Sequence, residues 1–433
     1  MHRIESSWST PCGSCSPVNF SRLGVHDSTD WTPQRLAYSA TLMACGEQTQ
    51  LTERLAAVNA CLHEACPHWK LGTSYAGWSK ALLREGPRLL PHVMQRLRRE
   101  LLKLPRSRRG RHLPFALDGT HLTCPRTAVN QAAMGDVGKP NGMPLLSLTV
   151  LLHLDTGLPW DFRVGPGIES ERSHGLAMLD SLPPDALLVA DAGFIGYDWC
   201  RELLRKSRHF LLRVGGNVTL LRELGYEFEV DGSTVYLWPL DCQRTQQPPL
   251  RLRLIVVQDE HKQPVYLVTS LFDPADLTDQ EATEIYQQRW GIELFYRTAK
   301  QTFGHHTLHS RTPETCYQEA SWSVVGVLLL GLMTARQLSV NGRDSRTWSP
   351  AGARKVVCRM LRNERPCPRT RRCFLRVLAE CVKDGYHRQR PKASRSYPRK
   401  KHQKPPGPPK IRVSTQQQRQ RAQQLKSIMM REQ

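Results

Sequence analysis

The sequence predicts an α/β protein, with a mixed sheet flanked by helices and interrupted by an antiparallel β insertion. A helical domain precedes this core and a basic, partly disordered tail follows it. Three observations carry the prediction. Apolar strand-like runs alternate with amphipathic helical stretches between residues 113 and 205. A β-rich segment with turn signals fills residues 209 to 272. Helical periodicity dominates residues 32 to 104, before any strand pattern begins.

With 433 residues the chain is long enough for two or three domains. A hydrophobic share of 39% suits a folded enzyme and is too high for a largely disordered chain. The 61 Lys+Arg outnumber the 39 Asp+Glu, giving +22, which implies a polyanionic partner: nucleic acid first, an anionic membrane surface second. The chain has 13 cysteines and an N-terminal MHRIESSWSTPCGSC without an apolar stretch, so the expectation is a cytoplasmic, nucleoid-associated protein with reduced thiols. The longest apolar run, Val324 to Met333, is too short for a bilayer and reads as a buried helix, so no membrane partner is expected.

In chain order, residues 1–31 read as a disordered N-terminus, whose lone Cys12/Cys15 pair has no second pair at zinc-ribbon spacing. Residues 32–105 read as a helical domain punctuated by Gly46, Pro67 and Pro87. Its last helix is basic and suits either binding of DNA ends or capping of the next domain. The first part of the α/β core is expected at 106–208, opening on the basic linker PRSRRGRH. There LPFALDGTHLTC reads as a strand ending on Asp118, followed by a Gly119-Thr120 turn. Two strands then join around Asp155-Thr156-Gly157, a helix follows at ERSHGLAMLDSL, and the buried strand LLVA delivers Asp191 at its end. The insertion is placed at 209–275, with a hairpin at Asp231-Gly232, and the core resumes at 276–342. Residues 343–386 form a basic helical region in which Cys358, Cys367, Cys373 and Cys381 read as core thiols. From 387 to 433, fourteen Lys/Arg against one Glu read as a disordered phosphate-binding arm.

Residues 284–304, EIYQQRWGIELFYRTAKQTFG, read as one helix of about five turns. At roughly 100° per residue, Tyr286, Arg289, Glu293, Arg297 and Lys300 share one sector, while Ile285, Ile292, Phe295, Ala299 and Phe303 lie on the other side. One carboxylate among cations is either a solvated ladder of i,i+4 ion pairs or part of a site for metal and polyanion. Asp118 and Asp191 at strand ends are common turn residues singly. Together with Glu293 they supply the three hard oxygen donors that a two-metal phosphoryl-transfer site requires. No GxxxxGK[ST] is present, which argues against a P-loop enzyme.

The pattern Tyr286-x2-Arg289-x3-Glu293-x6-Lys300 resembles, at every position, the Tyr-Arg-Glu-Lys signature of the bacterial transposases of insertion sequence family 4. LDGT around Asp118 and ADAGF around Asp191 resemble that family's two aspartate motifs. The β-rich stretch between Asp191 and Glu293 resembles its insertion into a ribonuclease-H-like core. The resemblance covers about residues 110 to 340. It implies a DDE transposase in which Asp118, Asp191 and Glu293 are catalytic and bind two Mg2+ or Mn2+ ions. Water would nick double-stranded DNA at the element's terminal inverted repeats, and the freed 3′-OH would attack a phosphodiester, through an end hairpin in many relatives, before transfer to target DNA. Arg289 and Lys300 would grip flanking phosphates, Tyr286 would donate to the terminal phosphate, and the protein would act as a homodimer. Arg297 is left as an unassigned phosphate contact and Trp290 is read as packing the helix edge. Trp238 is read as a β-core aromatic with base stacking as the alternative. His305, His306 and His309 receive no role. The rivals are a nuclease on the same core without strand transfer, and a domesticated or inactive derivative that only binds DNA.

Overall fold

Apolar blocks with no polar residue, Phe115–Leu117 and Ala186–Ala190, make the centre of the sheet. Strands buried on both faces suit parallel pairing, and β1 (Leu113–Thr123), β4 (Ala186–Ala190) and β5 (His209–Val214) lie side by side in parallel. In the computed structural model the described residues are 29–105, 111–135, 137, 142–230, 232–258, 263–364, 371–385 and 407–432. They build a mixed ten-stranded sheet flanked by helices, its strands lying in the order 410–413, 219–222, 234–237, 250–258, 264–269, 209–214, 186–190, 113–123, 145–153 and 158–166. The chain divides into two compact units. Unit 1 holds residues 1–108, 119–171 and 292–384, and unit 2 holds 109–118, 172–291 and 385–433.

Unit 1 begins with α1 (Pro33–Cys45), α2 (Leu51–Ala65) and α3 (Tyr75–Leu101). Thr32 and Ser74 cap α1 and α3 by accepting N–H bonds from Arg35 and Gly77. Trp31 is buried, so order begins before the predicted boundary, whereas the Cys12/Cys15 pair lies outside the described residues. The expected Gly119-Thr120 turn does not form. β1 runs on to Thr123 because its far end gains partners: Thr123 donates to His306 O and accepts from Leu308 N. After α4 (Ala128–Met134), β2 (Leu145–His153) and β3 (Leu158–Pro166) make the expected hairpin, with Gly157 at φ +65° where a left-handed residue is needed. The Val324–Met333 run lies in α10 (Pro313–Val340), capped by Thr312. By length and composition α10 could cross a membrane, yet most of its apolar stretch is buried inside the protein. α11 (Pro350–Leu361) and α12 (Arg371–Ala379) follow. Cys358 and Cys381 are buried as expected, Cys373 is exposed, and Cys367 lies outside the described residues.

Unit 2 holds most of α5 (Glu171–Met178), then β4, α6 (Tyr197–Arg205) and β5. The segment read as opening an antiparallel insertion therefore starts with a strand that pairs in parallel with β4. Antiparallel pairing begins with β9 (Pro264–Thr269) and continues through β8 (Leu250–Gln258), β7 (Thr234–Leu237) and β6 (Thr219–Arg222), with the short α7 (Leu240–Arg244) between β7 and β8. Of the hairpin expected at Asp231-Gly232, only the second arm is a strand. It pairs with β6, and Tyr226 and Phe228 stack their rings at 5.0 Å in the loop before it. Asp231 itself lies outside the described residues.

The tail departs most from expectation. Residues 407–432 are ordered as β10 (Lys410–Val413), α13 (Gln416–Gln424) and α14 (Lys426–Glu432). β10 pairs in parallel with β6, and Tyr226 donates its hydroxyl to Ala422 O at 2.8 Å. Ala422, Leu425 and Met429 are buried, enough apolar surface to hold a segment whose charge pattern alone reads as disorder. The rest of the predicted tail, 387–406, lies outside the described residues.

Candidate active site

The site starts from strand register. Leu117 of β1 is the partner of Ala190 of β4, which in turn is the partner of Leu212 of β5. One residue further along these parallel strands come Asp118, Asp191 and Arg213. Asp118 therefore lies within β1 rather than at its end, Asp191 just past the end of β4 and Arg213 within β5, on neighbouring backbones about 4.8 Å apart. Arg213 was missed by sequence reasoning. Its place beside Asp191 follows from the register of β5 against β4, which the local sequence HFLLRV does not encode.

The turn after Asp191 is held rigidly. Gly193 N donates to Asp191 Oδ1 at 2.8 Å, closing an Asx turn that fixes the carboxylate. A Cβ on Gly193 would lie 2.9 Å from that same oxygen, which explains the small residue in ADAGF. Arg172, another residue without a role in the sequence reading, donates to Gly193 O at 2.6 and 2.9 Å and to Ile195 O at 2.9 Å. In unit 1 the Glu171 carboxylate packs against Gly119, the residue after Asp118.

The stretch 284–304 is not a single helix. α8 (Asp279–Gln288) starts at a Thr278–Glu281 capping box and ends at Arg289. α9 (Gly291–Arg297) follows, and Thr298–Thr302 winds as a π turn. Arg289 N and Trp290 N bond back three residues, to Tyr286 O and Gln287 O, so the chain tightens just before Gly291, a poor helix residue. The apolar side holds: Ile285, Ile292, Phe295, Ala299 and Phe303 are all buried. The polar side is divided between the units at Gly291 and Ile292.

In unit 2, the Arg289 guanidinium sits 5.7 Å over the Tyr286 ring. Burial pushes the Tyr286 phenol above its ordinary range. Arg289 and Arg213 pull it back down while Asp191 adds to the rise, so all four groups share one electrostatic neighbourhood. Near neutral pH Tyr286 is a protonated donor. In unit 1, Glu293 is half-buried in the first turn of α9, Arg297 is exposed, and Lys300 sits within the π turn. Lys300 Nζ donates to Thr120 Oγ1 at 2.6 Å, which ties the signature lysine to the LDGT motif.

Trp290 is 54% exposed beside Arg289, not packed on the helix edge, because the tightened backbone turns it outward. Trp238 is buried and donates to Gln247 O at 2.8 Å, as a β-core aromatic would. His305 is buried against Phe303, His306 is exposed, and the His309 backbone N–H donates to the Glu319 carboxylate. Among the described residues no group of three or more His, Cys, Asp or Glu comes together to hold a metal ion. The adjacent Asp118 and Asp191 are nonetheless hard oxygen donors of the kind that suit Mg2+ or Mn2+.

Asp118 on β1 and Asp191 just past β4, with a Tyr-Arg-Glu-Lys segment further along the chain, are the sequence features carried by a DDE-type nucleic-acid-processing domain. A family profile described as Transposase DDE domain matches residues 109–325, and the chain belongs to that family. The transposase InsG for insertion sequence element IS4 of Escherichia coli (strain K12) is 28% identical over 224 residues, 49% of this chain and 49% of that protein. A probable transposase for insertion sequence element IS5377 of Geobacillus stearothermophilus is 23% identical, covering 43% of this chain and 48% of that one. A putative transposase for insertion sequence element IS4SA of Synechocystis sp. (strain ATCC 27184 / PCC 6803 / Kazusa) is 20% identical, covering 59% and 70%. The chain thus spans about half the length of the first two of these relatives. A solved piggyBac transposase synaptic complex with hairpin DNA aligns at TM-score 0.42 and 11% identity, over 89% of this chain and 84% of that one.

Proposed function

We propose that the chain is a DNA transposase on a ribonuclease-H-like core, cutting at insertion-sequence ends and transferring the 3′-OH to target DNA as a homodimer. The observation that carries this reading is the row Asp118–Asp191–Arg213, at matching steps along neighbouring parallel strands, in a chain of the DDE family. Asp118, Asp191 and Glu293 would hold two Mg2+ or Mn2+ ions, which when bound supply Lewis acidity toward a phosphodiester oxygen.

The chain's own groups divide the remaining work. The Asx turn at Gly193 presents one face of the Asp191 carboxylate, and Arg172 keeps that turn from opening. Arg213, Arg289 and Lys300 bind phosphate oxygens flanking the scissile bond and offset developing negative charge. Tyr286, kept protonated by burial, donates its hydroxyl to the terminal phosphate. Trp290 offers an exposed ring for stacking on a base at the cut end.

The test uses duplexes bearing the inverted repeats that bound the reading frame, with Mg2+, comparing wild type with Glu293→Gln and Asp191→Asn. Cleavage and joining by wild type alone are expected. Equal cleavage by all three would sink the reading, and nicking without joining would favour a nuclease.

A further inference from the structure

We propose that His112 and His209, both in unit 2, form a two-imidazole site for a divalent transition ion of the Zn2+ or Ni2+ class. The site is separate from the carboxylates and does not rest on the transposase reading. His112 immediately precedes β1, where the sequence reads only as the end of a basic linker, and His209 opens β5. Register brings them to one face of the sheet. Leu187 of β4 is the partner of both Pro114 and His209, so His209 lies level with the second residue after His112. Residues two apart along an extended chain share a face. The six residues from His112 to Asp118 span roughly 20 Å of extended chain, which sets the pair at the far end of the strands from the acidic row.

Three observations point to an ion between the rings. Their centres are 5.3 Å apart, with the planes at 68°. A zinc-bound imidazole nitrogen lies about 2.1 Å from the metal and its ring centre about 1.1 Å further, so two imidazoles on one tetrahedral ion have centres roughly 5.2 Å apart. The rings already stand at the separation that a shared ion requires. Both nitrogens of His112 are buried without a hydrogen-bond partner. Whichever tautomer it adopts, its lone-pair nitrogen lacks a donor, which ring packing alone does not supply and a cation does. Finally, His209 Nδ1 lies 3.3 Å from Ser270 Oγ. A proton on Nδ1 bonds there and leaves the lone pair on Nε2, the way a second hydrogen bond orients a metal-ligating histidine.

Imidazole suits ions such as Zn2+ and Ni2+, whereas carboxylates suit Mg2+ or Mn2+. The guanidinium groups beside the pair have other partners: Arg208 donates to Pro183 O at 3.0 Å, and Arg111 pairs with Asp276. Among the described residues no third His, Cys, Asp or Glu completes a metal cluster, so water fills the remaining positions and the ion exchanges with solvent. Bound there, it ties the start of β1 to the start of β5 across β4.

The experiment titrates the untagged full chain with ZnCl2 by calorimetry, in excess MgCl2 to mask the carboxylates. One tight Zn2+ per chain is expected in wild type. His112→Gln and His209→Gln should each weaken it roughly tenfold or more, and the double variant should fall within about twofold of either, because one imidazole alone does not chelate. His306→Gln, at an exposed imidazole of unit 1, should leave the isotherm unchanged. Equal binding by wild type and the double variant overturns the proposal. So does an equal loss from His306→Gln, and so does binding that Mg2+ abolishes. Circular dichroism checks that the variants fold. If they do not, anomalous diffraction from wild-type crystals grown with ZnCl2 decides: a peak shared by both rings supports the site, and no shared peak overturns it.

Discussion

The bond from Lys300 Nζ to Thr120 Oγ1, at 2.6 Å and partly buried, makes the sharpest prediction about how the motifs cooperate. Lys300 lies in the π turn that follows α9, and Thr120 is two residues past Asp118 on β1. If the hydroxyl aims the ammonium group at a phosphate, Thr120→Val removes the aim and keeps the charge. A hydrogen bond to a charged group contributes roughly 1.5–3 kcal/mol, and partial exposure lowers that to about 1–2 kcal/mol. Expressed as a barrier, this is about a 5- to 30-fold slower single-turnover cleavage. Thr120→Ser should recover most of the rate. Lys300→Ala should cost more, because the phosphate contact goes as well. Adding Thr120→Val to Lys300→Ala should then cost less than about 0.3 kcal/mol further, since the hydroxyl acts only through the amine. The assay is single-turnover cleavage of a repeat-bearing duplex, run as a double-mutant cycle. Additive losses, or wild-type cleavage by Thr120→Val, would refute the coupling.

Three other changes follow from the same coordinates. Gly193→Ala places a Cβ 2.9 Å from Asp191 Oδ1, so cleavage should drop at least tenfold while circular dichroism stays native; unimpaired cleavage would show that the Asx turn does not orient the carboxylate. Trp290→Ala removes a ring that is 54% exposed, so thermal unfolding should barely move. Stacking of about 1–3 kcal/mol per base predicts at least a fivefold loss of end cleavage, and a Trp290→Phe variant that cleaves no better than alanine would count against stacking. Burial pushes His305 down to about 3, with Arg54 and Arg354 adding to the shift and a hydrogen bond with the Ala44 backbone opposing it. The unfolded imidazole takes its proton near about 6.5, so this residue's stability is fully present above that pH and is lost as pH falls toward its folded value. Urea titrations between about pH 7 and 4 should show His305→Gln with a shallower acid decline than wild type, by up to roughly 1.4 kcal/mol per pH unit; parallel curves would exclude His305 as the source.

Legibility followed the physics of each segment. Central strands such as Ala186–Ala190 could be found because burial on both faces leaves an uninterrupted apolar run, and the hairpin at Gly157 because a left-handed turn favours glycine. The end of β1 could not be found. Gly119 and Thr120 signal a turn, and only the distant His306–Leu308 segment supplies partners that keep the strand extended. β10 and its helices were hidden for a similar reason, since their stability comes from β6 and Tyr226, some 190 residues earlier. Arg213 needed register: its place beside Asp191 follows from the pairing of β4 with β5, which no spacing within one segment encodes. Trp290 was misread because a regular helix was assumed where the backbone tightens.

That tightening changes what the signature means. Its residues were read as one stripe on a uniform helix, which would make a single rigid element responsible for all four side chains. The chain instead leaves unit 2 between Gly291 and Ile292, inside the signature, and leaves it again between Asp118 and Gly119, inside the first aspartate motif. Unit 2 therefore carries Asp118, Asp191, Arg213, Tyr286 and Arg289, while unit 1 carries Glu293, Lys300 and the Thr120 that holds Lys300. The four signature residues lie on successive local conformations: Tyr286 in the last turn of α8, Arg289 at its tightened end, Glu293 in the first turn of α9 and Lys300 in the π turn that follows. The spacing Tyr286-x2-Arg289-x3-Glu293-x6-Lys300 therefore does not correspond to the pitch of one helix, because the i→i−3 bonds at Arg289 and Trp290 break the roughly 100° step between its two halves.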